Sequence, residues 1–177
     1  DRVITILGLG TLGTACGIAL KRLGFNVRGW SRREKRVDGI LCFYGDEQID
    51  SSLMDADIVV LLLPDTPLTQ NILNQHTLNL LKRGAFVLNP GRGPLIDDDA
   101  LLAALETGQI EHATLDVFRI EPLPKNHQYW SNNKVTVTPH KASETRPKTA
   151  SQVIAMNIKR AENGQKLLYL VDRENGY

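Results

Sequence analysis

The chain has 177 residues, enough for one compact domain with a substantial core. Its 42% hydrophobic and 23% charged content is that of ordinary globular proteins, and a formal net charge of +1 gives no general basis for nucleic-acid or membrane-surface binding. The apolar runs are strand-length, well short of a membrane span, and the two cysteines, Cys16 and Cys42, form no metal-ligand or CxxC pattern. Cys16 reads as helix packing, and such sparing cysteine use fits a reducing, cytoplasmic compartment.

Val3 to Leu7 is a short β-branched run that reads as a buried parallel strand. Thr11 to Leu23 follows with helical spacing, placing Leu12, Cys16, Ala19, Leu20 and Leu23 on one side, with Gly24 as its cap. Asn26 to Trp30 is a second strand. Between Arg32 and Asp57 the pattern is weaker, with a strand at Leu41 to Tyr44 and a short helix at Glu47 to Met54. Ile58 to Leu63 is a strand stopped by Pro64, Thr69 to Leu81 a helix closed by Gly84, and Ala85 to Asn89 a strand. Asp97 to Thr107 is a helix whose acidic first turn suits the positive end of the macrodipole. Ala113 to Val117 and Val135 to Thr138 are further strands, and Glu144 to Ala161 is a final helix with Pro147 near its start, where proline is tolerated. Strands alternating with helices predict a doubly wound α/β fold of mainly parallel strands. The chain then divides into a dinucleotide-binding domain over 1–143 and a C-terminal helix and tail over 144–177.

The first turn carries Gly8-Leu9-Gly10-Thr11-Leu12-Gly13, a G-x-G-x-x-G with a strand before it, a helix after it and a second strand at βαβ spacing. Gly8 allows the tight turn, Gly10 lets backbone approach a pyrophosphate, and Gly13 lets the helix lie close on the sheet. Thr11 and Leu12 open the helix whose free N–H groups face the phosphate. A NAD site would place an acid at the end of the second strand; here Trp30-Ser31-Arg32-Arg33 stands there, and no acid occurs before Glu34. Arg32 and Arg33 can fork onto a ribose 2′-phosphate and Ser31 can donate to it, so NADP(H) is preferred, with NAD(H) as the alternative. Lys35 and Arg36 continue the basic run and fit a solvated loop equally well.

The second half carries Leu62-Leu63-Pro64-Asp65-Thr66-Pro67, then Asn89-Pro90-Gly91-Arg92-Gly93, Leu115-Asp116-Val117-Phe118, Glu121-Pro122-Leu123-Pro124 and Thr138-Pro139-His140. In this order and spacing the chain resembles the D-isomer-specific 2-hydroxyacid dehydrogenases. Trp30-Ser31-Arg32, Thr145-Arg146-Pro147 and the tail from Val171-Asp172-Arg173 to Gly176-Tyr177 point to the branch that reduces glyoxylate and hydroxypyruvate. The resemblance implies hydride transfer from a nicotinamide cofactor to a small 2-oxo acid. His140 would be the proton donor and Glu121 its partner, favouring the imidazolium and holding the ring. Arg92 would anchor the substrate carboxylate and polarise its carbonyl. Asp116 would bind the nicotinamide carboxamide, a loop-bracing role being the alternative. Pro64 and Thr66 would line the adenosine side of the groove, and Asn89 would lie near the nicotinamide.

Two positions depart from the family's common pattern: Gly91 precedes the anchoring arginine where a residue such as alanine is usual, and Lys141 follows the histidine. Members of the family also build a substrate domain from an N-terminal stretch and the C-terminal end. The glycine turn here begins at Gly8, so the resemblance implies a chain that keeps the cofactor groove and lacks most of that second domain, with little catalysis alone. It implies a homodimer in the full-length form. The competing reading is a non-catalytic dinucleotide-sensing module like the family's corepressor relatives, or a NAD-dependent member acting on another acid.

Overall fold

The computed structural model describes residues 2–173; the Gly176-Tyr177 end of the tail lies outside them. Strands β1 (Val3–Leu7), β2 (Asn26–Ser31), β3 (Leu41–Tyr44), β4 (Ile58–Leu61), β5 (Ala85–Asn89), β6 (Ile110–Leu115) and β7 (Val135–Val137) form one seven-stranded sheet in the order β3-β2-β1-β4-β5-β6-β7. Every pairing is parallel, so the sheet is wholly parallel. The chain builds outward from β1 to β3, then returns to lay β4 against the other side of β1. That reversal creates a crevice above the carboxyl ends of β1 and β4, where doubly wound sheets bind ligands.

Helices α1 (Thr11–Arg22), α2 (Ile49–Leu53), α3 (Gln75–Leu80) and α4 (Asp98–Thr107) lie in connections between strands, and α5 (Pro147–Glu162) follows β7. Ile6, Val27 and Ile40 form a small core under α1, and the larger core runs from Leu7 through Leu61, Leu78 and Leu105 to Tyr129. The polar Thr5, fully buried in β1, is satisfied by donating to the Ser52 carbonyl at 2.7 Å.

Three local expectations need correction. The face of α1 that meets the sheet is centred on the buried Gly13 and Gly17, with the expected Cys16 and Leu20 packed beside them, while Leu12, Ala19 and Leu23 are exposed. A Cβ at Gly13 would lie 1.9 Å from the Gly8 carbonyl oxygen, so the backbone itself makes the contact. The segment 69–74 is a series of turns, and α3 starts at Gln75. Asn74 caps that helix, its side chain accepting from His76 N and Thr77 N while the Thr77 hydroxyl accepts from Asn74 N. The last helix begins at Pro147, whose fixed φ suits a first helical position, and not at Glu144. No residue of α5 is buried; the chain doubles back along it, with Asn157 and Leu168 exchanging bonds of 2.8 and 3.0 Å. Among the described residues no helix is long and apolar enough to cross a membrane.

Candidate active site

Because all strands run one way, the loops after β1, β2, β4, β5, β6 and β7 gather on one edge, and every predicted site residue lies there. They fall into two adjoining regions. The first is a groove of about 440 Å³ lined by Gly8, Leu9, Gly10, Ser31, Arg32, Arg33, Pro64 and Thr66. Gly8 has φ +113°, and a Cβ there would meet the Leu62 carbonyl at 2.5 Å, so only glycine fits this turn. At Gly10 the same space is open to 4 Å. The start of α1 has no side-chain cap and no acidic residue in its first turn. Its first N–H groups are therefore available to an anion, as the pyrophosphate of a dinucleotide requires. Thr11 and Leu12 are exposed at this helix start, while Gly13 is packed beneath it.

The rim of the groove is basic. Ser31 is nearly buried and donates to the Arg33 carbonyl at 2.9 Å, shaping the loop that carries Arg32 and Arg33. The basic run then splits. Arg36 turns to the Glu34 carboxylate at 3.1 Å, whereas Lys35 turns inward and donates to the Leu9 carbonyl in the glycine turn. Thr69, which sequence reasoning passed over, braces the opposite wall: its hydroxyl donates to the Pro64 carbonyl at 2.7 Å and accepts from Thr66 N at 2.9 Å.

The second region surrounds His140. Its Nδ1 lies 2.8 Å from Glu121 Oε2, leaving Nε2 without a hydrogen bond among the described residues. Glu121 Oε1 accepts from Phe118 N at 2.9 Å. Partial burial pushes the Glu121 carboxyl up, but the Phe118 N–H and the His140 ring, with the Arg92 charge, outweigh it and hold the group below its ordinary value. Arg92 thus acts electrostatically on the carboxylate that partners the histidine. The two residues come from the loops after β5 and β6. Beside them a cavity of about 490 Å³ is walled by Phe118, Pro122, Leu123 and Trp130.

Asp116 and Asn89 both turn inward. Asp116 is 4% exposed and its carboxylate accepts from the Thr138 hydroxyl at 2.6 Å, Lys141 N at 2.9 Å and Ala142 N at 2.8 Å. Burial alone would raise its pKa; those three bonds and the nearby His140 bring it below the ordinary value. This is the loop-bracing arrangement, and it holds His140 at φ +52°. Asn89, 1% exposed, accepts from Gly91 N at 3.1 Å and donates to the Arg92 carbonyl at 2.9 Å, fixing the arginine turn from below. Gly91 has a reason of its own, because a Cβ there would lie 2.8 Å from the Leu61 carbonyl. Among the described residues no group of His, Cys, Asp and Glu is placed to hold a metal.

Residues 1–142 match the family described as D-isomer specific 2-hydroxyacid dehydrogenase, NAD binding domain. Over 174 residues the chain is 46% identical to glyoxylate/hydroxypyruvate reductase A of Serratia proteamaculans and 42% identical to that of Yersinia enterocolitica, covering 98% of this chain and 56% of each relative. The chain thus spans little more than half the length of the curated relatives it matches. A D-isomer specific 2-hydroxyacid dehydrogenase from Xanthobacter autotrophicus Py2, solved with NADPH and MES, superposes with a TM-score of 0.96 at 46% identity, over 99% of this chain and 73% of that one. The NADPH-dependent glyoxylate/hydroxypyruvate reductase of Sinorhizobium meliloti, solved with NADP and sulfate, also gives 0.96, at 33% identity over the whole of this chain and 57% of that one.

Proposed function

The chain belongs to the D-isomer specific 2-hydroxyacid dehydrogenase family, and from that premise we propose that it is the cofactor-binding part of an NADPH-dependent reductase of small 2-oxo acids such as glyoxylate or hydroxypyruvate. Residues 1–143 form the dinucleotide-binding unit and residues 144–177 the segment that serves a substrate domain. The observation that carries this reading is the His140–Glu121 pair at 2.8 Å, on the sheet edge that also carries the glycine turn.

Gly8, Gly10, Thr11, Leu12 and Gly13 would hold the pyrophosphate, Ser31, Arg32 and Arg33 the ribose 2′-phosphate, and Pro64 and Thr66 the adenosine side. When bound, the cofactor supplies the hydride. The chain's own residues do the rest. His140 holds a proton on Nε2 for the alkoxide oxygen that forms on reduction, while Glu121 at Nδ1 fixes the ring and supports its positive charge. Arg92 grips the substrate carboxylate and draws negative charge onto the carbonyl oxygen. Asp116 and Asn89 keep the histidine and arginine turns in place.

Two measurements test this. Titration of the chain with NADPH and NADH should show tighter NADPH binding; equal or tighter NADH binding rejects the cofactor assignment. A chimera joining the chain to the preceding segment of the Serratia relative should reduce glyoxylate with NADPH, and His140→Gln should cut its kcat by about 100-fold or more. Undiminished turnover in that variant rejects the role of His140.

A further inference from the structure

The turn carrying Arg92 and the loop carrying Glu121 are in direct contact. Gly93 lies so close under the Phe118 peptide that a Cβ there would fall 2.0 Å from the Phe118 carbonyl carbon. Contact alone does not fix two loops against sliding. Arg119, next in the chain, reaches across the seam. Its Nη2 donates to the Asn71 side-chain oxygen and to the Ile96 carbonyl, and lies 3.5 Å from the Pro94 carbonyl. Its Nε faces Asp98 Oδ2 at 3.5 Å. Asp98 is itself held by the buried Tyr129 hydroxyl, which donates to Oδ1 at 2.8 Å. One guanidinium therefore ties the Glu121 loop to two carbonyls just beyond the Arg92 turn, to the segment before α3 and to the start of α4. The Nε and Nη2 of one planar guanidinium face these partners from separate positions on the fork, a spread that the single nitrogen of a lysine does not have.

We infer that Arg119 is a positioning residue: it locks the Glu121 loop onto the Arg92 turn and so sets the carboxylate against the His140 ring. Arg119 forms no bond to His140 or Glu121 among those described and acts on them only through the loop. The inference rests on the proposed roles of Arg92, Glu121 and His140, but its test does not use turnover.

The test follows the side-chain carboxyl of Glu121 by carbon-13 NMR as a function of pH in the 177-residue chain, with Glu121→Gln to assign the signal. In Arg119→Met the Glu121 midpoint should climb toward its ordinary value, because the Phe118 N–H and the imidazole no longer converge on it. Arg119→Lys should recover part of that change. If the strap lends stability only, Arg119→Met melts earlier while the Glu121 midpoint stays put, and that result overturns the inference. Should Arg119→Met fail to fold, Asn71→Gly decides. Asn71 sits at φ +53°, which glycine accepts, so this change removes one anchor and little else. It should move the midpoint in the same direction by less; no movement overturns the inference. A chain that passes this test yet binds NADH as tightly as NADPH, or whose chimera keeps full turnover in His140→Gln, would retain the strap and lose the reductase reading.

Discussion

The carboxylate of Asp116 takes the N–H of Lys141 at 2.9 Å, immediately after a histidine whose φ is +52°. A non-glycine residue in the left-handed region costs of order 1 kcal/mol and persists only where its surroundings impose it. Asp116 imposes it from both sides, through the Thr138 hydroxyl before the histidine and the N–H groups of Lys141 and Ala142 after it. Asp116→Ala strands three donors and should cost about 1–3 kcal/mol in urea denaturation. Asp116→Asn, which keeps one accepting oxygen, should cost less. If the alanine variant is as stable as the parent, the brace contributes nothing.

Acid should weaken the fold in a predictable window. Asp116, Glu121 and Asp57 all hold their carboxyls below the ordinary values near 3.8 and 4.5; Asp57 does so through Lys82 at 2.7 Å and the Val3 N–H at 2.8 Å. A carboxyl whose folded pKa is depressed stabilises above its unfolded value, and that stability is lost as pH falls through the folded pKa. Unfolding free energy should therefore be level near neutrality and fall from about pH 4.5 downward. In Asp116→Asn the decline should be shallower; an identical acid limb would exclude Asp116 as a contributor.

The glycine turn separates folding from binding. Gly13→Ala places a Cβ 1.9 Å from the Gly8 carbonyl oxygen and should lower the melting temperature sharply, since neither backbone can yield without moving α1 off the sheet. Gly10→Ala meets open space at φ −70° and should fold normally. It should nonetheless weaken NADPH binding, because the new methyl occupies the approach of the phosphate. Unimpaired binding by Gly10→Ala would move the pyrophosphate elsewhere.

Removing the basic rim should change preference more than affinity in general. Replacing Arg32 and Arg33 together by alanine should weaken NADPH binding by about 10- to 100-fold and leave NADH within about two-fold, because only the former presents a dianion there. The loss should shrink in high salt. Parallel losses for both cofactors would assign the arginines to the pyrophosphate or to the fold.

The strand ladder and the glycine turn were legible because each rests on local signals: β-branched runs, a capping glycine, and βαβ spacing around Gly8 to Gly13. The face of α1 was legible only in part: Cys16 and Leu20 pack as their spacing suggests, but the closest contact is made by Gly13 and Gly17, and hydrophobic periodicity counts only side chains. Thr69 to Leu81 read as one helix because its apolar spacing runs through a turn. Threonine and asparagine side chains bind the backbone there and divert it. The His140–Glu121 pair, 19 residues apart, was reached through the family resemblance. Arg119 lies 48 residues from Asn71, and no pattern along the chain announces a bond across that distance.

The uniform strand direction also gives the molecule a quiet pole. Gly24, Gly84 and Gly108 close α1, the turn after α3, and α4 at the strands' amino ends, opposite the groove; the space around Gly24 and Gly84 is open, while φ of +92° and +79° reserves the two positions themselves for glycine. A fluorophore, affinity handle or surface tether grafted at that pole would report on ligand binding without standing in its way.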